Sequence, residues 1–164
     1  MNIFVVNSNP RKAAQDMCDK HIVKMILETA QMLCSAHPEG TATYKPTHRK
    51  HPCTLWASAS IANYNWLCLH GLALCDEYTK RYGKIHKSED IIRWCHANYP
   101  PNIPIKELTP FAQAMPEQYK DVDAVVAYRK YYIGEKSRFA AWKNSTTPLW
   151  FSSKNPYLDL ESTR

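Results

Sequence analysis

The chemistry-bearing side chains of this sequence gather between Lys20 and Ser35. At about 100° per residue, Lys20, His21, Lys24, Glu28, Gln31 and Ser35 fall on one side of a helix. Ile22, Val23, Ile26, Ala30, Leu33 and Cys34 fall on the other and form its core face. Lys20 and Lys24 are four residues apart, as are Lys24 and Glu28; His21 and Glu28 are seven apart and stack two turns along one stripe. An imidazole, two amines, a carboxylate and an amide are thereby aligned, flanked by Met17, Met25 and Met32. Apolar flanks make a partly buried groove, where pKa values move. In such a groove Glu28 does acid–base or electrostatic work, and a nearby amine serves as nucleophile or anion binder. The competing reading is a solvated face of ordinary ion pairs.

A second cluster follows in YKPTHRKHPCTLW, with Tyr44, Lys45, His48, Arg49, Lys50, His51 and Trp56. Cations interleaved with aromatics suit nucleic acid: Lys and Arg neutralise phosphates while rings stack on bases. A helix starting after Pro52 adds an N-terminal phosphate site. The alternative is a basic surface loop with Trp56 in the core. The histidines near Cys53 match no standard zinc spacing, so neither a metal nor another cofactor is expected. Further on, Arg81, Lys84, His86 and Lys87 crowd the end of a helix, where cations also complement the helix dipole. In AYRKYYIGEK, Tyr128 and Tyr132 share a face, as do Arg129 and Lys136. That cluster either packs a core edge or grips a nucleic-acid backbone.

The elements that must position these groups read as helices. Asn2 to Val6 is extended and buried. Asn9-Pro10 is an N-cap followed by a proline at the first helical position, opening a long helix to about His37. A second long helix runs from about Cys53 to Tyr82, stopped by Gly83. A short one covers Glu89 to Asn98, capped by Ser88. The proline-rich stretch from Tyr99 to Pro116 is an irregular crossover. A third long helix starts after Asp121 and reaches about Lys143. The fold expected is all-α: a compact single domain of three long helices and one or more short ones, joined by irregular proline-rich connections. The domain spans 1–151, and 152–164 is a polar tail.

Composition agrees with this reading. The 164 residues suit one domain. With 45% hydrophobic residues the chain has a core to bury, and only 4 Gly argue against a turn-rich β fold. The net charge of +6 attracts polyanions. The six cysteines form no CxxC pair and sit in helical patterns, as reduced, buried thiols of a cytoplasmic protein would. The start MNIFVV is too short for a secretory leader, and no apolar run has the ~18 residues of a membrane span.

Four features resemble the pyrimidine-dimer DNA glycosylases of the phage endonuclease V type. Asp19-Lys20-His21 followed by Glu28 is similar to that family's Asp-x-His and its catalytic Glu. HPCTLW (51–56) resembles the motif opening its next long helix, and CDEYTKRYGKIH (75–86) that helix's close. YRKYY (128–132) resembles its aromatic-basic segment. The resemblance spans most of residues 1–143 and implies a compact helical fold acting on flipped-out nucleotides. It implies that Glu28 is the catalytic carboxylate, His21 a positioning residue and an α-amine the nucleophile at C1′, through a Schiff base. In the family that amine is exposed by removal of the initiator Met. Here the bulky Asn2 favours keeping Met1, which leaves the Met1 amine, Lys20 or Lys24 as nucleophile. The likeness to a phage family also places the protein, as an expectation, in a bacterial cytoplasm.

Three functions remain open at this point. The chain is a DNA glycosylase, with or without AP lyase activity, acting on damaged or modified pyrimidines. Alternatively it sequesters a nucleotide or cyclic nucleotide, with Lys20, Lys24 and Arg49 on phosphates and Tyr44 or Trp56 on the base. Or it is a glycosidase acting on free nucleotides. The partner is DNA or a nucleotide in each case, and no membrane is involved.

Overall fold

In a computed structural model, residues 1–160 are described. Among them there are seven α-helices and no strand. They are α1 (Pro10–Asp16), α2 (Asp19–Ser35), α3 (Pro52–Ala59), α4 (Ile61–Tyr82), α5 (Glu89–Ala97), α6 (Ala124–Tyr131) and α7 (Leu149–Ser152). A 3-10 turn covers Glu117–Tyr119, and a π turn at Tyr132–Lys136 extends α6. The fold class is all-α. No helix of the described residues is long and apolar enough to cross a membrane. The six cysteines are buried and unpaired.

Each expected long helix is interrupted. The first breaks at Met17 and Cys18, whose ψ angles of 141° and 162° are extended. The buried Arg81 guanidinium, sent over from α4, holds this break. It donates to the carbonyls of Gln15 (3.0 Å) and Met17 (2.8 Å), which the broken helix leaves without helical partners. The second breaks at Ser60, extended at φ −156° and ψ 157°, whose hydroxyl caps α4 by accepting the Asn63 N–H at 3.0 Å. Its far end is as expected, with Gly83 left-handed at φ 69°. Ser88 does precede α5 but makes no side-chain cap. The third helix starts at Ala124, capped by Asp123, and widens into the π turn at Tyr132 instead of running to Lys143. There the Gly134 Cα faces Tyr119, and an added Cβ would stand 2.7 Å from that ring.

Residues Ile3 to Val6 are buried as expected, but not uniformly extended, because Phe4 is left-handed at φ 57°. This N-terminal segment runs through the core, and the Arg129 Nε donates to the Val6 carbonyl at 2.8 Å. The same guanidinium donates to the carbonyls of Pro156 and Leu158. The start of the expected polar tail is therefore fastened to the domain, while residues 161–164 lie outside the described residues. On α2 the core face is largely as read, except that Val23 is exposed, and His21 and Ser35 are buried although their stripe was read as polar.

Candidate active site

Glu28 stands on α2 at the floor of a cleft of about 580 Å³. Its side chain is only 12% exposed. Oε1 lies 3.4 Å from the Met1 amine and accepts the Asn2 N–H at 3.1 Å. Oε2 lies 3.9 Å from the Lys24 ammonium, whose side chain is 72% exposed. Both oxygens thus face nitrogen donors, one of them the α-amine of the chain's first residue.

The Met1 amine is pinned from both sides. Its own side chain is 2% exposed, so the thioether is packed. Behind it, the Asn2 amide donates to the Ala114 carbonyl at 2.8 Å, while its Oδ1 accepts the Ile3 and Phe4 N–H groups at 2.8 and 3.2 Å. This side-chain turn accommodates the left-handed Phe4 and lays its ring on His21, with centroids 4.1 Å apart. His21 is in turn hydrogen-bonded through Nδ1 to the Tyr132 hydroxyl. Burial, assisted by the charges of Lys136 and Lys24, depresses its pKa to about 3, so it is neutral at ordinary pH.

The opposite wall comes from the crossover and the π turn. Gln113, Ala114, Met115, Lys120, Tyr131 and Lys136 line it, and His51 and Pro52 close one end. Tyr128 fixes the crossover by donating to the Ala112 carbonyl at 2.6 Å and accepting the Ala114 N–H at 3.2 Å. The Lys136 ammonium lies 4.6 Å from the centroid of the Tyr131 ring. The cleft is therefore ringed by Lys24, Lys120 and Lys136 around a single carboxylate, an electrostatic match for a polyanion. Among the described residues no three His, Cys, Asp or Glu side chains converge as a metal site.

Of the sequence candidates, Met1, His21, Lys24, Glu28 and His51 meet in this cleft. Lys20 is exposed and lies over the Phe139 ring, 4.7 Å from its centroid. Gln31 is half-buried further along α2. Five other candidates present no surface to a nucleic acid, because the core takes them. Trp56, Tyr128, Arg129 and Tyr132 are buried, and so is Arg81, which also pairs with Glu77 and Asp19 at 3.1 Å each. The YRKYY segment is thus mainly a set of internal pins, and its cleft-facing ring is Tyr131. Tyr44 is half-buried and bonds Ser88 at 2.9 Å. Arg49, though exposed, donates to the carbonyls of Ser35 and His37 and so satisfies the end of α2. Lys45, His48, Lys84 and Lys87 are exposed, and His86 is half-buried.

Sequence reading missed Asn2, Phe4, Gln113, Met115 and Lys120. Most of them sit in irregular segments, where no periodicity marks a shared face. Tyr131 and Lys136 stood in the aromatic-basic segment, and both line the cleft; the glycine between them, inside a helical pattern, signals a packing or functional constraint.

The family model for pyrimidine dimer DNA glycosylase matches residues 1–90. No curated protein and no solved structure matches the chain. The matched span holds Met1, His21, Lys24, Glu28 and His51, whereas the wall from Gln113 to Lys136 lies beyond it. By that match, over more than half of its 164 residues, the chain belongs to the pyrimidine dimer DNA glycosylase family.

Proposed function

We propose that the chain cleaves the glycosidic bond of damaged pyrimidines, pyrimidine dimers first among them, in DNA, and then cleaves the strand as an AP lyase. The observation that carries this reading is the Met1 amine 3.4 Å from Glu28 Oε1. A carboxylate at that distance accepts the proton an amine must shed on attacking C1′, and it stabilises the positive charge that develops on the sugar. An α-amine is intrinsically less basic than a lysine amine and offers more free base near neutrality. Lys24 is 72% exposed, so it lacks the burial that activates lysine nucleophiles, and its role is to attract phosphate. The reacting nucleotide is flipped into the cleft, since C1′ is out of reach within a stacked duplex.

Borohydride reduction in the presence of abasic DNA, followed by peptide mapping, tests the assignment. A covalent adduct on the Met1 amine is expected. An adduct on Lys20 or Lys24 overturns the nucleophile, and absence of any adduct from protein that still binds DNA overturns the lyase chemistry. Glu28→Gln should retain DNA binding and lose base release by roughly 10²- to 10⁴-fold. Full activity in that variant removes Glu28 from the mechanism.

A further inference from the structure

His51 is the N-cap of α3, and it also lines the cleft that holds Glu28 and the Met1 amine. Its Nδ1 accepts the Cys53 N–H at 3.1 Å. A ring nitrogen that accepts carries no proton, so the neutral ring has its proton on Nε2. The capping bond therefore selects one tautomer and leaves one N–H donor. Burial holds the ring's pKa below the usual histidine value, and the nearby α-amine and His48 add to the effect while Glu28 opposes it. The ring is consequently a neutral donor near pH 7, with no second proton to give.

A neutral donor suits one kind of ligand atom. Permanent phosphate charge is already served by Lys24, Lys120 and Lys136 around the cleft. A fixed, uncharged N–H is most useful where negative charge appears only during reaction. Resting on the function proposed above, we propose that His51 is a catalytic hydrogen-bond donor, through Nε2–H, to the O2 oxygen of the departing pyrimidine. As the amine nitrogen bonds to C1′, the C1′–N1 bond breaks and its electron pair moves onto the base, shared between N1 and O2. The proton shed by the amine goes to the Glu28 carboxylate, which then returns it to N1 of the base. His51 keeps its own proton throughout and lowers the energy of the anionic leaving group.

The test separates leaving-group chemistry from amine chemistry. His51→Ser preserves a good N-cap and removes the Nε2–H donor; His51→Thr caps in the same way and serves if the first variant does not fold. Single-turnover cleavage of the C1′–N1 bond in an oligonucleotide bearing a pyrimidine dimer, read as base freed on photoreversal of the dimer, should slow on the order of 10²-fold. Borohydride trapping on an oligonucleotide with a preformed abasic site, where no base departs, should proceed at the unaltered rate. Base release at the wild-type rate would show that His51 is only a cap and overturn the proposal. Equal slowing of release and trapping would also overturn it, by showing that His51 organises the amine. If the wild-type protein traps no abasic DNA, the amine mechanism itself has failed, and this proposal falls with it.

Discussion

At the scale of single residues, the cleft depends on side chains whose burial fixes their protonation. His21 is 6% exposed, sandwiched against Phe4 and bonded to Tyr132, with its pKa lowered from 6.5 to about 3. His70 is fully buried under Trp66 with its pKa lowered to about 4. Both are histidines whose folded pKa lies below the unfolded one. As pH falls below about 6.5 the unfolded chain takes up protons that the folded chain refuses, so unfolding is favoured. The stabilisation is complete above that pH and is lost progressively down to about pH 3 for His21 and pH 4 for His70. Each ring contributes a slope of up to about 1.4 kcal/mol per pH unit within its window. Urea unfolding at pH 7 and pH 5 should show the loss, and His21→Asn should flatten part of it. An unchanged slope in that variant would mean that His21 is protonated in the folded protein.

At the scale of elements, the decisive feature is the interrupted helix that ends α1 and begins α2. Arg81 is fully buried and bonds four partners there: two carbonyls of the break, Glu77 and Asp19. Removing it strands the Glu77 carboxylate and two carbonyls in the interior, while the partly exposed Asp19 keeps the Lys143 N–H. Arg81→Ala should therefore cost about 3–5 kcal/mol. By contrast, Arg93 forms a single i,i+4 pair with Glu89 and is 57% exposed, and Arg93→Ala should cost less than about 1 kcal/mol. Denaturant midpoints of the two variants decide the matter; similar losses would remove Arg81 from its structural role. The same break explains what was legible in the sequence. Periodicity gave the helical stripe with Glu28 and its register to His21 and Lys24, because burial on one face repeats with the helix. It could not give the stop at Met17, since nothing local ends that helix; the partner of its carbonyls comes from α4, more than sixty residues on. The sequence pattern likewise marked Arg81, Arg129 and Tyr132 as cations and aromatics suited to nucleic acid. Whether such a residue faces solvent or backbone carbonyls is set by tertiary packing, which their spacing does not record. Asn2 and the crossover from Gln113 to Met115 were silent for a related reason: their contributions are a single side-chain turn and irregular backbone.

At the scale of the whole molecule, charge and shape bear on which substrate is bound. The net charge is +6, and three lysines ring one carboxylate at the cleft, with Lys45, Lys84 and Lys87 exposed elsewhere. A DNA duplex spans several of these cations at once, whereas a free nucleotide reaches only those at the cleft. Each phosphate neutralised releases condensed counterions, so the logarithm of DNA affinity falls against the logarithm of salt with a slope of about −0.9 per contact. If DNA is the substrate, a short duplex should bind with a slope set by several contacts, and Lys136→Ala should weaken binding on all sequences and lower the slope by about one. A nucleoside monophosphate has no comparable condensed atmosphere to release, so its binding should respond weakly to salt. Fluorescence anisotropy over a salt series measures both. A slope for duplex DNA no steeper than that for the mononucleotide would remove long DNA as the substrate and leave a free nucleotide as the occupant of the cleft. A steep slope that Lys136→Ala leaves unaltered would retain DNA and move its track away from the π turn, toward the exposed loop around Lys45 or the helix end at Lys84 and Lys87.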